Sequence, residues 1–536
     1  MPTKTIKLSL YALGISVAFV ASNAQAQSAP PPSEGQPATP QTTAQDAPPP
    51  PPPPMAAAPT PGPGSDKTEP APPSMAPAAP PPVNPWFVRP IFEVKTGQPD
   101  ARWALQIYGF AEFDVMNDST RSFNDGANSN VLQRDGTQGG TNGRTQFTVR
   151  NSRLGVKATA PSIGGIKGTG VVEADFFGYD PAPFGNPYTG NPPNSEAAFW
   201  NNPTFRIRHA YGKAESSVVD VLAGQTNYIL GWQTYFSPTS LAFLGMPNEL
   251  FNRTSQFRLS HTFKSDDVNF DVVLGAFRPI QRDSSIPDGQ AALRLAFNKW
   301  KGMEGPGSGL PSAQAAAIGL SGLARRFRTD GIVNIAAPAS TLVPVSSPYP
   351  STQRGTSSEN GWAVAANIFV PIIPAADNTD RFNKLSLVGE FTVGSGDADQ
   401  FTGMTGMNGA NWGGIYNTAA AGSVSMPNLD PGLVAFDSAA ILHTINWRTF
   451  VVGLEYYLGQ VTLAGTYTQG DSDNMTDLFP HNKNVFKKSQ YGDAAIFFDL
   501  TPAMRYGLGY QYTKQTFCDD ATAQNHRFEA LALYFF

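Results

Sequence analysis

Apolar residues recur at every second position through much of the chain. In MRYGLGYQY, Met504, Tyr506, Leu508, Tyr510 and Tyr512 share one face, and in KLSLVGEFTV the same holds for Leu385, Leu387, Gly389, Phe391 and Val393. VTLAGTY and TFVVGLEYY repeat the pattern. A period of two denotes β-strands with one apolar and one polar face. The polar faces carry small residues, as Gly507 and Gly509 do beside Gln511.

These runs extend over about ten to thirteen residues, the length a tilted strand needs to cross a bilayer. Strands of a soluble sandwich are shorter and more evenly spaced. The links between runs alternate in length. KSDD, LGQ and DLTP make tight turns near Phe263, Leu458 and Leu500, whereas Gly/Asn/Asp/Ser-rich stretches fill 116–143, 179–203, 229–252, 328–358, 396–444 and 471–487. Short turns at one end and long loops at the other mark outer-membrane barrels. The pattern therefore predicts an all-β fold: a closed antiparallel transmembrane β-barrel of about sixteen strands. It opens with ALQIYGFAEFDV and closes with RFEALALYFF, in which Phe528, Ala530, Ala532, Tyr534 and Phe536 face lipid. A closed sheet has no edge, so the last strand must pair with the first. Phe536 then falls in the aromatic girdle at the periplasmic interface. This terminal strand resembles the signal by which outer-membrane proteins are recognised by the barrel-assembly machinery.

The first residues are a different material. Lys4 and Lys7 precede the apolar run LSLYALGISVAFVAS, and Ala24-Gln25-Ala26 offers a small-x-small cleavage site, so 1–26 reads as a secretory signal peptide. Residues 27–85 hold nearly half of the 49 prolines. They are expected to be disordered or partly polyproline II, a periplasmic tether, with the barrel occupying 86–536. Losing the two leader lysines takes the formal charge from −5 to −7. A mildly acidic chain has no nucleic-acid footprint. The single cysteine, Cys518, permits no internal disulfide. No apolar run after residue 27 is long enough for a spanning helix.

If one face meets lipid, strand charges point inward, because a lipid-facing charge at the midplane costs roughly 2–4 kcal/mol. In FRIRHAYGK, Phe205, Ile207 and Tyr211 are read as outward, and Arg206 and Arg208 as inward. In SQFRLSHTF, Phe257 and Leu259 face out and Arg258 faces in. In QFTVRNSRLGVKA, Phe147 and Val149 share one parity while Leu154 and Val156 share the other. A β-bulge near Asn151-Ser152 reconciles them and turns both Arg150 and Arg153 inward. Glu112 shares a face with Asp114, and Glu173 shares one with Asp175. Interleaved acidic and basic strands along one wall predict a transverse field across the bore, favouring polar, zwitterionic or anionic solutes. The guanidinium fork suits carboxylates. The alternative is that these charges only hydrate the lumen and pair with one another.

Tyr228, Trp232, Tyr235, Phe236, Leu241, Phe243 and Leu244 make the stretch after the fifth strand too apolar for an exposed loop. A constriction loop folded against the inner wall gives them a dry site, with Glu249 and Arg253 bordering the narrow zone; a subunit contact is the competing explanation. Catalysis would need a nucleophile, a histidine and a carboxylate held together. Of His209, His261, His443, His481 and His526, none lies in a GxSxG or HExxH motif. His209 and His261 read as interfacial-belt residues and His481 as a loop residue. The expected role is passive diffusion of small hydrophilic solutes, with no catalytic residue, cofactor or metal. The alternative is a structural or adhesive barrel tethered through its proline-rich segment.

LQIYGFAEFDVMND, NSRLGVKATAP with IKGTGVVEADFFG, FRIRHAYGK and LAGQTNYILGWQTYF resemble, in that order, the opening strands of the DcaP-like porins, from about Trp103 to Phe263. The resemblance implies a trimeric outer-membrane channel of a Gram-negative bacterium, built of sixteen-stranded barrels, that takes up dicarboxylates and other small anions through an arginine-lined constriction. By motif position Arg153, Arg206 and Arg208 carry over as lumen residues. Its partners are then outer-membrane lipid and lipopolysaccharide, two further copies of the chain, and small anionic solutes. Members of that family often carry a coiled coil before the barrel. Here the segment is proline-rich and lacks heptads, so a trimer rests on barrel-to-barrel contact.

Overall fold

The computed structural model describes residues 92–97, 102–123, 131–178, 204–233, 235–242, 245–280, 284–305, 311–330, 332–333, 343–344, 356–405, 407, 430–437 and 441–536. Residues 1–26, expected to be a signal peptide, the proline-rich stretch 27–85, and Phe243 and Leu244 lie outside them.

Eighteen β-segments form one sheet. They are β1 (Phe92–Thr96), β2 (Trp103–Asp118), β3 (Arg144–Thr148), β4 (Arg153–Thr159), β5 (Lys167–Gly178), β6 (Thr204–Glu215), β7 (Asp220–Asn227), β8 (Arg253–Lys264) and β9 (Val268–Phe277). Then come β10 (Asp288–Glu304), β11 (Ser312–Asp330), β12 (Thr356–Ile373), β13 (Phe382–Ser395), β14 (Asn446–Leu458), β15 (Val461–Asp471), β16 (Phe486–Thr501), β17 (Met504–Phe517) and β18 (Thr522–Phe535). Sequential neighbours pair antiparallel, and β18 returns to β2 in a register running from Phe110↔Phe535 to Asp118↔Arg527. The sheet is closed. β3 and β4 both pair with β2 and make a single crossing broken by a bulge at 149–152, and β1 adds only to the end of β2. Sixteen crossings remain.

The alternation read from the sequence sorts the two faces. Phe113, Phe147, Phe205, Ile207, Leu274, Leu320, Leu508, Phe528 and Tyr534 are exposed on the outside. Glu112, Asp114, Gln146, Thr148, Arg325, Thr449 and Gln511 are buried on the inside. Turns are short at one end, as at 459–460 where Gly459 takes φ +74°. At the other end the connections are long.

β18 pairs with β2 from Phe110↔Phe535 onward, and the amide and carbonyl of Phe536 both bond to Gly109. Residues 103–107 of β2 would be left with an open edge there. β1 covers it, pairing Phe92↔Ile107 through Thr96↔Trp103.

Part of the bore is filled by the long loops. Phe123 and Leu132, Phe401 and Met404, Leu433 to Phe436, Met475 and Phe479 come from the long loops and form one core with Leu230, Leu250, Trp447 and Phe486. Inside the wall Arg325 joins Asp288 at 2.6 Å to Asp399 of the loop after β13. Toward the short turns Arg505 pairs with Asp499 at 2.6 Å, and Arg381 reaches the same carboxylate.

Candidate functional site: a bore lined by arginines

The segment 228–252 leaves β7 and turns into the barrel. Its backbone is held by side chains of the wall: Ile229 and Leu230 donate to Gln290 Oε1 at 3.0 and 2.9 Å, and Gly231 donates to Ser321 Oγ at 2.7 Å. Farther on, Thr239 N donates to Glu455 Oε1 at 2.7 Å, Ser240 Oγ donates to Asp493, and Leu250 N donates to Glu390 Oε1 at 3.1 Å. The loop thus crosses the bore and lies against β10 through β17. Tyr228, Trp232, Phe236 and Leu241 are buried by it. Tyr235 is not: 44% exposed, it faces the open side, with the Arg294 guanidinium 4.0 Å above its ring.

Glu249 closes this loop on itself. Its carboxylate accepts from Met246 N at 2.9 Å and from Ser237 Oγ. Burial, with the Asp493 charge adding to it, pushes the Glu249 carboxyl up to about 7. Removing a carboxylate from water disfavours its charged form.

What stays open is a cavity of about 700 Å³ between the loop and the inner wall of β2 to β10. Tyr108, Glu173, His209, Tyr211 and Arg258 line it from the wall, and Tyr228, Trp232 and Tyr235 line it from the loop. Beside it stands a cluster of guanidiniums. Arg206 holds Asp175 through two bonds, at 2.9 and 2.5 Å. Arg208 bridges Glu173 at 3.0 Å and Asp175 at 2.9 Å. Arg153 lies 3.4 Å from Glu173 and over the Phe110 ring. Arg150 donates to Phe176 O at 3.2 Å. Arg253 stands within the repulsive field of Arg153, Arg206 and Arg208. Among the described residues, no carboxylate pairs with Arg253 or with Arg258. Arg258 is held only by neutral acceptors, Gln256 Oε1 at 2.6 Å and Asn227 O at 2.6 Å.

Two sequence readings are corrected. Tyr211 faces inward, and His209 belongs to the bore rather than to an interfacial belt. The register of β5 with β6 skips Arg208 between Glu173↔His209 and Ala174↔Ile207. This one-residue bulge puts Arg208 and His209 on the same face and inverts the parity of everything beyond. His209 Nδ1 lies 3.0 Å from Thr226 Oγ1. His261 packs on Phe263, ring centres 4.5 Å apart, and also borders the cavity, and His481 is in a loop. Glu112 and Asp114 are buried inside, Asn151 Nδ2 donates to Glu112 Oε2 at 2.7 Å, and Glu173 and Asp175 interleave with the arginines along one wall.

Arg294 and Asp271 escaped the sequence reading. They are register partners 2.8 Å apart on β10 and β9, at the edge of the cavity. The signal was present in AALRLAF, where Leu293 and Leu295 flank Arg294 at the opposite parity.

No protein-family model matches the chain, and no curated protein sequence does. Among solved structures, the outer membrane channel DcaP of Acinetobacter baumannii is similar, with a TM-score of 0.55 and 15% identity over 81% of this chain and 97% of that one. An anion-selective porin from Comamonas acidovorans aligns with a TM-score of 0.43 and 10% identity over 81% of this chain and 100% of that one. The closed, inward-looped barrel described above is therefore the fold of an outer-membrane channel.

Proposed function

We propose that the protein is a porin of the Gram-negative outer membrane, passing small hydrophilic solutes by passive diffusion with a preference for anions such as dicarboxylates. The apolar outer band and the uninterrupted closure of the sheet support the membrane location. One observation carries the anion preference: the guanidinium of Arg258 lines the cavity without a carboxylate partner, and that of Arg253, equally without one, stands in the adjoining arginine cluster. Guanidiniums already paired with Glu173 and Asp175 contribute little net field, whereas unpaired ones attract and orient carboxylates bidentately. The aromatic wall of Tyr228, Trp232 and Tyr235 narrows the passage on the facing side. A homotrimer built on the outer faces of the barrels is part of this reading.

Planar-bilayer recording of the purified protein in a salt gradient tests it. The expected result is an ion current whose reversal potential is displaced toward anion selectivity. Cation selectivity would refute the preference, and absence of current would leave a tethered structural barrel as the better reading.

A further inference from the structure

On the outer surface, across β8 to β12, lies a groove of about 620 Å³. Its floor is formed by Ala276, Gly289, Ala291, Gly322 and Ala324. Phe257, Leu259 and Leu274 make one wall, and Trp362 and Val364 the other. The floor residues are register neighbours: Gly289 sits between Ala276 and Ala324, and Ala291 is opposite Gly322. They lie level with Trp362, which pairs with Ala324, at a height where a barrel carries an aromatic girdle.

The fold does not require small residues here. A Cβ built on Gly289 meets nothing closer than 3.9 Å and one on Gly322 nothing closer than 3.6 Å. Neither glycine takes a positive φ. Larger side chains would project into free space, so the groove is room left for something else. Immediately above it, toward the long loops, the outer face turns basic. Arg278, Arg326 and Arg328 are all exposed there, and Arg326 donates to Ser358 Oγ at 3.0 Å. Arg278 and Arg326 are two strands apart, about 10 Å by ordinary strand spacing.

An apolar slot beneath a row of guanidiniums matches a molecule with an acyl chain below and phosphate above. We propose that this groove seats an acyl chain of a phosphorylated glycolipid in the outer leaflet, with its phosphate on Arg278, Arg326 and Arg328. The assignment rests on the outer-membrane reading. Arginine is suited to the phosphate by its planar fork, and charge-assisted bonds are stronger at the water–lipid boundary than in bulk water.

The full chain in non-ionic detergent, its barrel verified by heat-modifiable migration, is titrated with bisphosphorylated lipid A and with its dephosphorylated counterpart, and bound lipid is read by native mass spectrometry. The phosphorylated lipid is expected to be retained about tenfold more strongly. Arg278→Gln with Arg326→Gln lowers its retention by about tenfold, and Gly289→Leu with Gly322→Leu lowers retention of both lipids. All four substitutions point away from the bore and leave conductance unchanged. Equal retention of the two lipids, or wild-type retention by both double variants, overturns the proposal. So does a change in subunit number on filling the groove with lipid retention intact, which assigns the groove to a second copy of the chain. Loss of conductance in the wild-type protein counts against the proposed function instead, and is read separately from lipid retention.

Discussion

Leu241 of the inner loop rests on Gly509 of the opposite wall: a Cβ at Gly509 would lie 2.4 Å from Leu241 Cδ1. The glycine's lack of a side chain lets the loop span the bore. Gly453 does the same for Pro238, whose Cβ would stand 2.4 Å from an added methyl group.

Gly509→Val is therefore expected to displace the loop tip while the barrel persists, since overpacking costs about 1–3 kcal/mol against a wall held by continuous hydrogen bonding. Single-channel conductance should rise and open-channel noise with it. Unaltered conductance would mean that the loop does not limit the passage.

The arginines separate into two groups by partner. Arg258→Gln removes an unpaired charge from the bore and should shift the reversal potential toward zero with little effect on thermal stability. Arg206→Ala with Arg208→Ala strips both guanidiniums from Asp175, which is 0% exposed. Leaving a buried charge unpaired costs about 3–5 kcal/mol. That double variant should lower the temperature of heat-modifiable unfolding; an unchanged temperature would show that solvent reaches Asp175.

Loop docking should depend on pH. The docked Glu249 carboxyl holds its proton up to about pH 7, against 4.5 for a solvated glutamate. The docked loop binds more protons between these values, so docking is strongest below pH 4.5 and weakens as pH rises to about 7. Hydrogen exchange across 228–252 should be slower at pH 5 than at pH 8 after correction for the intrinsic rate. Glu249→Gln should abolish the difference; if it does not, another acid facing the loop, such as Glu390 or Asp493, is responsible.

Deleting 92–97 removes β1 and leaves backbone groups of residues 103–107 without strand partners at the seam. Each unpaired group in a dry setting costs about 1–3 kcal/mol. The truncated barrel is expected to unfold at lower temperature and to be cut more readily near Trp103 by protease. Wild-type resistance to both would show that water satisfies this edge.

Much of this barrel was legible in the chain. Period-two alternation assigned faces on β2, β8, β13, β17 and β18 because lipid outside and polar groups inside impose opposite demands on neighbouring residues. The parity conflict between Phe147 and Leu154 located the bulge at 149–152. The bulge at Arg208-His209 left no such conflict, since Tyr211 is amphipathic and is at home on either face.

The sequence by itself determined the closed sheet, its count of crossings and the inward turn of Arg153, Arg206, Arg208 and Arg258, because these follow from local alternation. Tertiary structure alone decided which guanidiniums are neutralised, that Tyr235 faces the bore while Trp232 and Phe236 are buried, and that the long loops pack into the bore. Those outcomes depend on contacts between residues far apart in the chain, such as Leu241 with Gly509 and Leu250 with Glu390, which alternation along a single strand does not encode.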